Sequence, residues 1–103
     1  MLVAFSISPM TPDDSGSVSS AVAEAVRIVR ASGLPHETNA MFTNLEGEWD
    51  EVMGVVKSCV DALTAQHPRV SLVLKADIRP GHDGQLTAKV DRLEQQLAGD
   101  VDD

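Results

Sequence analysis

An α+β sandwich, with two helices laid over one face of a four-stranded antiparallel sheet, is the fold this 103-residue sequence predicts. Three observations carry it. Strict alternation of apolar and small residues marks strands at both ends of the core region, in L-V-A-F-S-I-S and V-S-L-V-L-K-A-D. Two segments between them repeat apolar residues at spacings of three and four, as amphipathic helices do. The resulting order is β-α-β-β-α-β, and a split β-α-β arrangement of that order is the ferredoxin-like fold, here with an additional C-terminal helix.

The first strand covers residues 2 to 8: Val3, Phe5 and Ile7 point one way, and Leu2, Ala4, Ser6 and Ser8 the other. Pro9 lacks the N–H a sheet ladder needs, so the strand stops near it, and P-M-T-P-D-D-S-G-S is a turn-rich loop suited to form a pocket wall. Ser17 is the expected N-cap of the first helix, whose inner face should carry Val18, Val22, Ala25, Val26 and Val29, with Gly33 just past its end. Residues 36–39 and 41–46 read as two short strands joined tightly around Asn39 and Ala40, and Gly47 ends the second. The next helix is the clearest element. Trp49, Val52, Met53, Val56, Cys59, Val60 and Leu63 form its stripe, and Trp49 is expected to begin the core. Residues 70–78 form the last strand, with Val70, Leu72 and Leu74 inward. Ala4, Ser6, Ser8, Ser71, Val73, Lys75 and Asp77 then lie on an open sheet face suited to a ligand or a second subunit. Leu86, Val90, Leu93 and Leu97 mark the third helix, able to dock on its own domain or on a neighbour, and residues 99–103 form a frayed acidic tail after a single domain over 1–98.

Composition narrows the function classes. A net charge of −8, with two Phe, one Trp and no Tyr, disfavours nucleic acid and anionic membranes as partners. The one cysteine, Cys59, allows neither an internal disulfide nor a Cys-pair zinc site and reads as an inert core thiol. His36, His67 and His82 are scattered without metal-ligand pairing, so no metal and no cofactor is expected. Glu48, Asp50 and Glu51 suit a helix's first turn better than a catalytic pair. No P-loop or G-x-S-x-G is present, nor any arginine between Pro9 and Ser17 that would cradle a phosphate. The first residues lack a signal peptide's cationic start, and no segment approaches the ~20 apolar residues of a membrane span, so a cytoplasmic protein is expected.

The motifs F-S-I-S-P-M, S-G-L and T-N-L-E-G-E-W-D-E-V-M, in that order, resemble the small thiamine-binding protein family over about residues 3 to 93. In that family a Ser-x-x-Pro segment ends the first strand, a Pro-Met-x-Thr-x-x-Glu-Gly segment forms the third, and a lysine-bearing helix follows the last. Here these fall on Ser6 to Pro9, Ala40 to Gly47 and Lys89; Ala40 departs from the usual proline. The resemblance implies a ferredoxin-like subunit of a homodimer or homotetramer that binds thiamine or its hydroxymethylpyrimidine moiety without catalysis, as a carrier or sensor. The alternative is an oligomeric interaction module with no small-molecule ligand.

An aminopyrimidine offers an exocyclic NH₂ donor and ring-nitrogen acceptors, so its pocket needs donors, acceptors and apolar ring contacts. Ser6, Asn39 and Thr43 supply hydroxyl and amide groups, Met10 and Met41 can cover the ring, and Glu46 is the nearest carboxylate. Each has a plainer reading: Asn39 suits a turn, Thr43 a strand, Ser6 a crowded interface, and Glu46 the backbone N–H groups of the following helix. Strict alternation puts Thr43 and Glu46 on opposite faces unless a bulge intervenes.

Overall fold

The computed structural model describes residues 1–10 and 19–101. The expected Ser17 cap, the position of Val18, most of the loop after Pro9, the side chain of Lys89 and residues 102–103 of the expected tail lie outside what is described. The elements are β1 (Leu2–Pro9), α1 (Ser19–Ala31), β2 (His36–Thr38), β3 (Thr43–Glu46), α2 (Trp49–Thr64), β4 (Val70–Asp77) and α3 (Gln85–Val101). They form the ferredoxin-like α+β sandwich with a four-stranded antiparallel sheet in the order β2-β3-β1-β4.

The alternation of β1 is the organising pattern: Val3, Phe5 and Ile7 are buried and the residues between them only half-buried. Registers Val3↔Leu45 and Phe5↔Leu74 line up the inward side chains of three strands. On them α1 lays Ala21, Ala25 and Val29, and α2 lays Val52, Val56, Cys59 and Leu63. The Cys59 thiol reaches the Ala25 carbonyl oxygen at 3.6 Å, where the two helices meet. Gly33 follows α1 with φ of 77°, the left-handed conformation glycine adopts without strain. At the start of α2, the Glu48 N–H donates to Glu51 Oε1 at 3.2 Å, half of a capping box that gives these acids a structural role.

Several expectations change. Trp49 is 56% exposed, not core. It is the first residue of α2, and the sheet has already ended beside it, where the Gly47 N–H donates to the Met1 carbonyl at 3.1 Å; its ring borders a surface cleft with Ile78 and Pro80. Val22 is 40% exposed, because the seam of α1 runs through Ala21, Ala25 and Val29 and leaves Val22 to the side. Leu72 is 41% exposed because β4 is an edge strand and the helix layer covers it incompletely. The hairpin turn is longer than expected, spanning residues 39–42 between β2 and β3. Among the described residues, helix α3 meets the body near its start, against β3. Val90, Leu93 and Leu97 stay exposed, and the molecule is accordingly elongated, 57 × 29 × 20 Å.

The burial pattern sets two stabilities apart. Leu45→Ala, at a fully buried position where three strands align, should cost about 2–5 kcal/mol. Trp49→Ala should cost less than about 1 kcal/mol. Urea unfolding followed by far-UV circular dichroism measures both, and a Trp49 effect equal to that of Leu45 would contradict the assignment.

Candidate functional site

A cleft opens where β1 loses its partner. β3 begins at Thr43, opposite Phe5, so among the described residues β1 has from Ser6 onward a strand beside it only on the β4 side. Main-chain N–H and C=O groups on the other side of this edge need partners, as every strand edge does. The gap is bounded by the 39–42 turn and by Val22, Ala25 and Val26 of α1, and encloses about 180 Å³. Its polar lining comes from Ser6, Ser8, Thr38, Asn39 and Thr43, and its apolar lining includes Phe5, Ile7, Met41 and Phe42. Among the described residues that line it none is ionisable, which gives the cleft a neutral described lining in a chain of net charge −8.

The turn is built by Asn39. Its Oδ1 accepts the N–H groups of Met41 and Phe42, both at 2.9 Å, and its own N–H donates to the Phe42 carbonyl at 2.9 Å. Two backbone donors on Oδ1 fix the amide orientation and leave the NH₂ as what Asn39 can offer a ligand. The turn and ligand readings of Asn39 are therefore compatible. Thr43 lies 3.4 Å from the Thr38 hydroxyl, oxygen to oxygen, as the Thr38↔Thr43 register requires. Thr38 and Phe42 were not singled out from sequence, and Ser8 was named only as part of the open sheet face; the pairing of Thr38 with Thr43 becomes visible only once the hairpin register is known.

Ser6, Asn39, Met41 and Thr43 thus come together in one cleft, and Met10 and Glu46 are not among its lining. Met10 is 48% exposed beyond the end of β1, with its N–H donating to the Arg69 carbonyl at 2.8 Å. Glu46 is 5% exposed and sits at the far end of β3, on the opposite sheet face from Thr43, with no bulge in the register. Its carboxylate accepts the Gln85 N–H on Oε2 at 2.8 Å and the Leu86 N–H on Oε1 at 3.2 Å. The expected helix-start role therefore falls on α3 rather than α2. A carboxylate across two of the unsatisfied amides of a helix N-terminus is favoured by both hydrogen bonding and the helix dipole. Glu46 borders a second, more open cleft of about 580 Å³ with Leu34, Pro35, Glu51 and Leu86.

Other chemistry is limited. Burial pushes the Cys59 thiol up from 9.0 to about 11, so it is protonated near neutrality and a poor nucleophile. Among the described residues no group of three or more His, Cys, Asp or Glu side chains is arranged to hold a metal ion, and no helix is long and apolar enough to cross a membrane.

Comparison with known proteins places these features in context. The family described as Thiamine-binding protein matches residues 3–94. The chain is 49% identical over 98 residues to the UPF0045 protein Mb1933 of Mycobacterium bovis, covering 94% of each. It is 34% identical over 82 residues to the UPF0045 protein sll0230 of Synechocystis, covering 79% of this chain and 68% of that one. Among solved structures, protein MJ1052 of Methanocaldococcus jannaschii superposes with a TM-score of 0.80 at 30% identity, over 90% of this chain and 94% of that one. A Thermotoga maritima protein named for a suggested role in thiamine biosynthesis or salvage superposes with a TM-score of 0.78 at 25% identity, over 89% and 96%.

Replacing Glu46 by Ala should leave the Gln85 and Leu86 amides uncapped and cost about 1–3 kcal/mol locally. Hydrogen exchange at those two amides should accelerate while the Val3 and Leu45 amides keep their protection; unchanged exchange at Gln85 and Leu86 would contradict the cap. Cys59 should resist a thiol reagent at pH 8 until the protein is unfolded. Its folded value lies above the ordinary one, so its contribution to stability is complete below pH 9 and declines as pH rises through about 11. Denaturation midpoints of wild type and Cys59→Ala, compared across that window, check the sign.

Proposed function

The chain belongs to the thiamine-binding protein family, and from that premise we propose that it is a non-catalytic binder of thiamine or its hydroxymethylpyrimidine moiety, working as a carrier or sensor. The observation that carries this reading is the gathering of Ser6, Asn39, Met41 and Thr43 around the neutral cleft beside the unpaired edge of β1. An aminopyrimidine matches those groups. The Asn39 NH₂ donates to a ring nitrogen, the Ser6 and Thr43 hydroxyls serve as donor or acceptor, and Phe42 and Met41 cover the ring. Edge carbonyls of β1 accept from the exocyclic NH₂.

Size and charge favour the pyrimidine half. At about 180 Å³ the cleft is below the ~300 Å³ at which pockets for larger organic ligands begin, so one chain holds one ring. The neutral lining suits the uncharged pyrimidine, while the overall charge of −8 attracts a cationic thiazolium from a distance. Micromolar affinity corresponds to about −8 kcal/mol, and each neutral hydrogen bond contributes only ~1 kcal/mol net, so burial of the ring supplies most of the remainder.

The binder acts as a homodimer or homotetramer in the cytoplasm. The exposed apolar stripe of α3 and the open sheet face around Val73 support the oligomer, and they equally favour a second reading, an oligomeric interaction module with no small ligand.

Calorimetric titration with thiamine, hydroxymethylpyrimidine and the thiazole half separates the two readings. The pyrimidine compounds should bind, the thiazole should not, and Ser6→Ala or Thr43→Val should each weaken binding about five- to tenfold. An oligomer that gives neither heat nor a thermal shift with millimolar ligand would favour the interaction module.

A further inference from the structure

The geometry points to Asn39 as the residue that sets which pyrimidine the cleft accepts: an aminopyrimidine, and not the pyrimidinone in which a carbonyl replaces the exocyclic amine. The inference rests on the pyrimidine-binding reading above and deepens it. The two compounds share a shape and present opposite edges. An aminopyrimidine offers an unprotonated ring nitrogen beside an NH₂ donor, whereas in the pyrimidinone that ring nitrogen carries a proton and its neighbour is an acceptor oxygen. A site separates them only through a group whose hydrogen-bonding sense is fixed.

The polar side chains lining the cleft among the described residues are Ser6, Ser8, Thr38, Asn39 and Thr43. All but Asn39 are hydroxyls, which rotate to donate or accept as the ligand requires and so favour neither edge. The main-chain edge of β1 carries N–H and C=O groups alike and can serve either compound. Asn39 differs. A free asparagine also matches both edges, because turning its planar amide over exchanges donor and acceptor. Here the turn takes the acceptor. Asn39 Oδ1 receives the Met41 and Phe42 N–H groups, each at 2.9 Å, which occupies both of its lone pairs. Turning the amide over would break both bonds and set the NH₂ against two N–H donors. The Asn39 N–H is bound as well, to the Phe42 carbonyl at 2.9 Å, so the backbone that presents the amide is held in place. Among the described residues Nδ2 has no partner, and it faces a ligand only as a donor. It meets the ring nitrogen of an aminopyrimidine as an acceptor and the ring N–H of a pyrimidinone as an opposing donor. Such a mismatch leaves polar groups unpaired, and it separates close analogues far better than a small change of size does.

Calorimetry with thiamine and with oxythiamine, its analogue bearing a carbonyl in place of the pyrimidine amine, tests the assignment through the ratio of their dissociation constants. Wild type should bind thiamine at least tenfold more tightly. Asn39→Asp keeps a side-chain oxygen for the Met41 and Phe42 N–H groups and turns the outward donor into an acceptor, so the preference should reverse. Its added charge acts on both thiazolium-bearing compounds alike, and the ratio reports the pyrimidine edge. Asn39→Ser keeps an acceptor for the turn and offers no amine, and should bring the ratio to within about threefold of one. Circular dichroism checks the fold of each variant. Equal binding of the two compounds by wild type, or a tenfold thiamine preference kept by either folded variant, would overturn the role of Asn39 and leave the pyrimidine reading standing. Failure of wild type to bind either compound would overturn both.

Discussion

The pairing of β1 governs this structure. On one side it matches β4 along its whole length, from Leu2↔Asp77 to Pro9↔Val70; on the other it matches β3 only from Leu2↔Glu46 to Phe5↔Thr43. The paired half places Val3 and Phe5 under the helices, where with Leu45 they anchor the core. The half left open on the β3 side creates the cleft. One strand therefore provides both stability and the candidate site, because beyond Phe5 no described strand pairs with it on the β3 side. The 39–42 turn, held by the Asn39 side chain, closes the other wall.

The segment from Asn39 to Glu46 divides its work between the two ends of the sheet. Asn39, Met41 and Thr43 border the cleft, while Glu46 crosses to the opposite face and caps α3. A motif that is continuous in sequence is split in space because a strand carries its residues ~3.3 Å apart and turns alternate ones to opposite faces. Glu46 thus connects the sheet to a helix that is otherwise scarcely packed.

Family membership and geometry support each other at different levels. The match over residues 3–94 and the likeness to the Mycobacterium bovis relative identify the family, and the hydroxyl-lined cleft supplies the groups that the proposed pyrimidine binding would use. The buried, protonated Cys59 and the capping role of Glu48 and Glu51 give structural duties to groups that would be the first candidates for catalysis in a sequence of this kind.

Periodicity in the sequence was enough to establish the strand-helix order, the inward faces of β1 and α2 and the sheet architecture, since burial enforces a repeat of 2 in strands and 3.6 in helices. The family resemblance, rather than periodicity, marked Ser6, Met10, Asn39, Met41, Thr43 and Glu46 as ligand contacts, and four of these six line the cleft. Periodicity says nothing about where a sheet ends, so Trp49 continued the apolar stripe of α2 while lying past the last row of strands, and Leu72 kept strict alternation while sitting on an uncovered edge. Nor does it identify partners distant in the chain. The bond from Glu46 to the start of α3 spans about 40 residues, and the Thr38 and Thr43 hydroxyls meet only through the hairpin register. Local spacing determined which residues share a face; tertiary structure alone decided which faces are covered, because coverage depends on where neighbouring elements stop.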